Sequence, residues 1–347
     1  MKSSITMQDL VHFADTFELC EELRNKTFLI TGITGLLGSI TVKCLIALSR
    51  KFNLKIHVIG IVRDMQKAKA LYQEYNEISL VCWDLNKIHE LPTDVDYIIH
   101  YASPTASLSF VESPIDVYNT ITHTTESILK YAKSRSVQSV VYASSLEVYG
   151  TIELKSEKID EAKQGYIDPL SARSSYPMGK RSAEFLCYAY YKQHSIPVKI
   201  ARLSQTFGAG VSLSDNRVFA QFARSVIENR DIVLNSAGLS SKSYCYITDA
   251  VSAVLYILIK GQNGEAYNIA NPETYISIKD MAVFVRDNFA PNINIEFVYD
   301  PTKGYAPDTW LNLDITKVQE LGWKPTVDLY SMYDRLIRYY KDDSIRM

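Results

Sequence analysis

Four side chains in two short stretches have the types and spacing of an acid–base set. One stretch is Tyr142-Ala143-Ser144-Ser145-Leu146-Glu147-Val148-Tyr149-Gly150, and the other is Ser175-Tyr176-Pro177-Met178-Gly179-Lys180-Arg181. Tyr176 and Lys180 are four residues apart and share a face if the segment is helical. A phenol titrates at about pH 10 and works near neutrality only if a neighbour lowers that value, which an ammonium one turn away is placed to do. Ser145 could then hydrogen-bond a substrate oxygen jointly with Tyr176, while Glu147 adds a carboxylate two residues further on. A Tyr-x-x-x-Lys spacing on its own also fits an ordinary surface pair, so the elements that carry it must decide.

The element that organises those around it is the run from Thr27 to Gly38. Thr27-Phe28-Leu29-Ile30 is short, apolar and β-prone, and it meets Thr31-Gly32-Ile33-Thr34-Gly35-Leu36-Leu37-Gly38 before an apolar helical stretch to Leu48. Glycines at 32, 35 and 38 let the backbone turn, let a pyrophosphate approach a helix N-terminus, and let helix and strand pack closely. The spacing is G-x-x-G-x-x-G, so Gly32, Thr34, Gly35, Leu36, Leu37 and Gly38 are expected to cradle a dinucleotide, NAD or NADP. A buried strand over 55–62 ends at Arg63-Asp64, where a carboxylate suits the 2′-hydroxyl of NAD and an arginine the 2′-phosphate of NADP. Arg63 tilts the expectation toward NADP, although Asp64 stands beside it.

Further strands follow at helical intervals. Ser79–Cys82 leads into Trp83-Asp84-Leu85, where Asp84 could accept from the adenine amino group with Leu85 beside it. Tyr97–Tyr101 leads into Ala102-Ser103-Pro104, whose backbone would pass under the cofactor, and 138–143 gives a third strand. Strands alternating with helices predict an α/β fold with a doubly wound parallel sheet and ligands at the strands' C-terminal ends. A helical pattern over 7–24 predicts an N-terminal extension, residues 1–26, packed against the first strand.

Bulk properties narrow the partners. With 37 basic and 39 acidic side chains there is no electrostatic footprint for nucleic acid or an anionic membrane surface. Five scattered cysteines without a Cys-x-x-Cys pair suggest neither a metal site nor a disulfide framework. No apolar run approaches the roughly 20 residues needed to span a bilayer, and a soluble, cytoplasmic protein is expected.

These motifs together resemble the extended short-chain dehydrogenase/reductases that modify nucleotide sugars. The likeness runs from about Thr27 to Leu329 and takes in T-G-x-x-G-x-x-G, S-S-L-E-V-Y-G, Y-P-M-G-K-R, Ala201-Arg202 with Thr206-Phe207-Gly208, and Leu321-Gly322-Trp323-Lys324-Pro325. It implies a nucleotide (Rossmann) domain over 27–200 and a smaller substrate-binding α/β lobe, mainly 201–347, with some segments returning to the first domain. It also implies catalytic roles for Ser145, Tyr176 and Lys180, and a homodimer through a four-helix bundle of helices 114–134 and 176–194. Tyr101, Ala102 and Ser103 would line the cofactor, with Ser103, Ser145, Gln205, Arg217 and Lys242 toward an NDP-sugar. Lys242 stands where the family usually has arginine, Gln205 where it usually has Asn, and Ile121 where an Asn is frequent. Asp249 reads either as part of the diphosphate wrap or as the N-cap of a helix over 250–259.

The reaction type turns on Leu146-Glu147. The 4,6-dehydratases in this family carry Asp-Glu there, and Leu146 cannot be an acid. Glu147 alone is more similar to UDP-glucuronate decarboxylases, as are His100-Tyr101-Ala102-Ser103-Pro104 and Ala189-Tyr190-Tyr191-Lys192-Gln193. The expected chemistry is therefore decarboxylase- or epimerase-like, through a transient 4-keto sugar. The alternatives are an NADPH-dependent reductase of an NDP-keto sugar, a non-catalytic NADP-binding sensor, and Glu147 as a merely structural carboxylate.

Overall fold

A computed structural model describes residues 4–82, 84, 94–152, 157–298 and 308–344. Helix α1 (Ile5–Thr16) is capped by Ser4, whose hydroxyl accepts from the Met7 amide. Next come β1 (Thr27–Thr31), α2 (Leu36–Phe52), β2 (His57–Val62), α3 (Met65–Tyr72), β3 (Ile78–Cys82) and β4 (Tyr97–His100). Helices α4 (Ser107–Glu112) and α5 (Pro114–Lys133) precede β5 (Ser139–Ser145), and α6 (Ser175–His194) precedes β6 (Val198–Leu203). The remainder is β7 (Gln205–Phe207), α7 (Val218–Glu228), β8 (Ile232–Leu234), β9 (Ser241–Tyr246), α8 (Ile247–Lys260), β10 (Ala266–Ile269), β11 (Asn271–Ser277), α9 (Ile278–Phe289), β12 (Ile295–Phe297), β13 (Trp310–Leu311), α10 (Thr316–Gln319) and α11 (Leu329–Ser344).

Seven parallel strands form the main sheet in the order β10-β6-β5-β4-β1-β2-β3. Strands buried on both faces are mainly apolar, as β1, β2 and β4 are, so helices must cover both sides. One core lies between the sheet, α2, α8 and the C-terminal elements; the other lies under α5 and α6. The chain runs outward from β1 in one direction and from β4 in the other. The crevice between these two strands is the switch point of the sheet, where ligands bind in open α/β folds. Beyond it, β11, β9 and β13 with β7 form a second, four-stranded sheet, and β8 pairs with β12. No described helix is long and apolar enough to cross a membrane.

Two expectations need correction. The N-terminal helix ends at Thr16 and packs chiefly on α2, α8 and α11. Its register is set by Phe13 and Phe17, whose rings stack 5.4 Å apart, with Phe17 edge-on to Tyr256. Buried Asp9 fixes it further, accepting from the Tyr246 hydroxyl and pairing with Arg335 at 2.6 Å. Asp249 is no N-cap, because α8 starts two residues earlier at Ile247. It is buried and accepts from the Thr326 amide and hydroxyl and from the Val327 amide, tying the segment after Trp323 to α8.

Candidate active site

The glycine loop is built for close approach. Gly32 has φ +71°, and a Cβ there would lie 2.9 Å from the Ala102 amide nitrogen; a Cβ on Gly38 would lie 2.3 Å from the Gly32 carbonyl oxygen. Gly35 starts α2 with no side-chain cap, so no side chain claims the helix's first-turn amides. Thr34, Leu36 and Leu37 are half-buried around this loop, and Gly35 is exposed. A dinucleotide pyrophosphate fits such a cradle, for it needs backbone donors and the absence of Cβ atoms.

The neighbouring strand end is fastened to the loop. Thr31 Oγ1 accepts from the Ala102 amide at 3.0 Å and lies 2.7 Å from His100 Nδ1, and His100 Nε2 is 3.3 Å from Thr125 on α5. Burial pushes His100 down to about 3, which keeps it a neutral link between sheet and helix. The Tyr101 hydroxyl is bonded to Thr41 of α2 at 3.0 Å, and half-buried Ala102 and Ser103 follow. At the end of β2, Arg63 is exposed, while the Asp64 carboxylate caps α3 by accepting from the Lys67 amide at 3.0 Å. Asp84 is exposed just past β3. Leu85 lies outside the described residues.

The second group of residues gathers at the end of β5. Ser145 closes that strand in register with Leu203 of β6, and its hydroxyl accepts from the Glu147 amide at 3.2 Å. The chain then makes a 3₁₀ turn, Leu146–Tyr149, in which Leu146 is a buried core residue. Beneath it, Ser144 donates to Glu184, and Glu184 pairs with Arg202 at 2.7 Å, so a satisfied buried network fixes the strand end.

Tyr176 is buried in the first turn of α6, its ring stacked on Phe110 of α4 at 4.4 Å and 11°. Lys180 is 3% exposed and donates to the Ala143 carbonyl at 2.7 Å. Its ammonium sits 4.9 Å from the Tyr142 ring centre and 5.7 Å from that of Tyr176.

The electrostatics differ from the sequence expectation. Burial raises Tyr176, and the Glu147 charge adds to this; Ser145, Arg173 and Arg217 oppose it. Burial also pushes Lys180 down to about 7, with Glu184 pulling it back. Lys180 is held toward its neutral form by the same desolvation, and two arginines oppose the rise at Tyr176.

Glu147 accepts from Arg173 Nη2 with its two oxygens at 3.0 and 2.9 Å. Lys242 on β9 is half-buried and pushed down by desolvation, with Glu147 pulling it up and Arg173 pushing it down. Arg217 ends the loop before α7 and is hydrogen-bonded to Asp215. Ser145, Glu147, Lys180 and Arg217 thus neighbour Tyr176, and Lys242 neighbours Glu147, in one charged region. Gln205 begins β7, two residues past the partner of Ser145. Arg173 and Phe110 went unread in the sequence. Arg173 left a trace, a cation one turn before Tyr176, but Phe110 reaches the site only through tertiary packing.

The chain is similar to several known proteins. UDP-glucuronic acid decarboxylase 1 of Danio rerio is 29% identical over 327 residues, 92% of this chain and 73% of that protein. UDP-glucuronic acid decarboxylase 5 of Arabidopsis thaliana is 31% identical over 240 residues, 68% of this chain and 67% of that protein. The fold is shared with the UDP-glucuronic acid 4-epimerase of Bacillus cereus, solved with UDP-glucuronic acid and NAD, at a TM-score of 0.74 and 22% identity over 91% of this chain and 99% of that one. Residues 28–270, from the first strand through the last strand of the main sheet, match the corresponding family model, and the chain belongs to the NAD dependent epimerase/dehydratase family.

Proposed function

We propose that the chain decarboxylates an NDP-uronic acid, with UDP-glucuronate as the first substrate to try, through a 4-keto sugar. The observation that carries this reading is the pair Leu146 and Glu147: the first is buried in the core, and the second lies in the pocket beside Arg173 and Lys242. A 4,6-dehydratase needs an acid at both positions, and only one is present. The bound nicotinamide, NAD or NADP, would supply a hydride acceptor and donor for C4.

The protein's own groups do the rest. Ser145 and Tyr176 hold the C4 hydroxyl, and Tyr176 takes its proton; Lys180, anchored on the Ala143 carbonyl, stays beside the phenol. The resulting ketone is β to the C6 carboxylate, so the C5–C6 electron pair passes into the enolate as carbon dioxide leaves. Glu147 attends C5, where that enolate must regain a proton. Arg217 and Lys242 supply positive charge for the diphosphate. Release of carbon dioxide from UDP-glucuronate tests this directly, while recovery of a C4 or C5 epimer without gas would assign epimerisation instead.

One observation favours a second reading. Asp64 is engaged as a helix cap while Arg63 is exposed at the strand end, an arrangement that suits the 2′-phosphate of NADP. An NADPH-dependent reductase of an NDP-keto sugar would use it, and oxidation of NADPH by a 4-keto sugar would reveal it.

We further propose a homodimer through α5 and α6, which pack against each other and present exposed Ile115, Tyr118, Phe185 and Tyr188. A groove of about 580 Å³ between these helices, lined by Tyr118, His123, Glu126, Phe185 and Leu186, lies on that face. A Phe185→Asp chain that remains dimeric by light scattering would refute this interface.

A further inference from the structure

Arg173 belongs to no motif of the acid–base set, yet it touches the environment of two of its members. It stands in the short 3₁₀ turn Ala172–Ser174, directly ahead of α6, so one stiff segment carries Arg173 and Tyr176. One guanidinium nitrogen reaches both oxygens of Glu147, at 3.0 and 2.9 Å. The guanidinium carbon lies 4.9 Å from the centre of the Phe110 ring, whose other partner is Tyr176 at 4.4 Å and 11°. Ser175, between the two, donates to the Phe110 carbonyl at 2.9 Å and fastens α4 to this stack.

We propose that Arg173 is a positioning residue, which aims the Glu147 carboxylate and, through the Phe110 ring, seats the Tyr176 phenol beside it. The inference rests on the reading of Glu147 and Tyr176 as groups of the reaction. The ion pair is a third exposed at the arginine and a quarter at the carboxylate, and pairs so open to water contribute little to folding. What it does fix is direction. A free glutamate has several rotamers, and a carboxylate spanned by one nitrogen of a stacked guanidinium keeps few of them.

Charge adds a second consequence. The groups facing Tyr176 are Ser145 and Tyr142 on β5, Glu147 in the turn after it, Lys180 on the same helix, Arg173 ahead of it and Arg217 before α7; Lys242 on β9 faces Glu147 and Arg173. Glu147 raises the phenol and Arg173 lowers it, so the two oppose each other at Tyr176 while both members remain. Removing one member exposes the other's effect.

The test follows hydride transfer from UDP-glucuronate in the cofactor-loaded enzyme, by the absorbance of reduced nicotinamide, as a function of pH. Arg173→Ala should move the acid limb to higher pH by about one unit and Glu147→Gln should move it to lower pH, since a lone charge within a few ångströms shifts a neighbour by about that much. Arg173→Lys should restore part of the wild-type profile. Coincident profiles, or both variants moving the same way, would overturn the proposal.

A wild-type chain inert toward UDP-glucuronate would refute the choice of sugar and leave a second arm for Arg173. Crystal structures of the wild-type and Arg173→Ala chains should then differ by a swung Glu147 carboxylate and a Phe110 ring turned off Tyr176. Both side chains in their wild-type places would overturn the proposal. Should Arg173→Ala fail to fold, Arg173→Gln, which keeps length and planarity without the charge, serves in both arms.

Discussion

The dinucleotide cradle and the sugar-side pocket are made in opposite ways. The cradle is local: eight consecutive residues from Thr31 to Gly38 turn β1 into α2, and the contact that makes the turn tight joins Gly38 to Gly32 six residues away. Its function depends on what is missing, namely Cβ atoms and a side-chain cap. The pocket is assembled from β5, two 3₁₀ turns, α6, β9 and the start of α7, and its function depends on charges that oppose one another across those elements. A cradle of the first kind fails through steric collision, whereas the pocket fails through a shift in proton affinity. Substitutions in the two regions should therefore leave different signatures.

The largest effect is expected in the pocket. Tyr176→Phe should cut turnover about 10²- to 10⁴-fold while the dinucleotide binds nearly as before, because only the proton transfer is lost. A comparable loss in cofactor affinity would dissolve the distinction between the two regions. Gly38→Ala should do the converse. Overpacking of about 1–3 kcal/mol against the Gly32 backbone translates into dinucleotide binding weakened about 10- to 100-fold, measurable by fluorescence titration.

Arg63→Ala sharpens the cradle further. Loss of one charge-assisted contact should weaken NADP about 10-fold and leave NAD unchanged; equal losses would remove Arg63 from the ribose site.

The smallest effect is one of stability and belongs to the pocket. Lys180 titrates at about 7 in the folded chain against about 10.4 when unfolded. As pH falls from about 10.4 to 7, only the unfolded chain gains this proton, so the folded state loses stability over that window, and below 7 the loss is constant. Lys180→Met removes the penalty. Its melting temperature should exceed that of the wild type by several degrees at pH 7 and by less at pH 10, although turnover collapses. An equal gain at both pH values would mean that Lys180 carries no such burden.

How legible each region was in the sequence follows from the same contrast. The glycine spacing reports its own geometry, because three missing Cβ atoms and the strand before them lie within a dozen residues. The parallel strands announced themselves as apolar runs, and the α6 segment by Tyr176 and Lys180 at helical spacing. Arg173 and Phe110 stayed hidden because their partners are distant: Phe110 meets Tyr176 across 66 positions, counted from their numbers, and no periodicity encodes that. The burial of Lys180 and Tyr176 was not legible from their spacing. Spacing gives proximity to Tyr176 but not burial, and desolvation outweighs the neighbouring charge at both residues. The N-cap alternative for Asp249 fails likewise, for a carboxylate near a helix start reads as a cap until its partners, Thr326 and Val327, are seen 77 and 78 positions away.

The most direct test of the proposed chemistry separates hydride transfer from the step at C5. Glu147→Gln keeps the size of the side chain and Ser145, Tyr176 and Lys180 untouched. With UDP-glucuronate and bound cofactor, this chain should reduce the nicotinamide at a rate within about 10-fold of wild type yet form the neutral pentose product at least about 100-fold more slowly. Pentose formation at the wild-type rate would contradict the account and return Glu147 to a structural role.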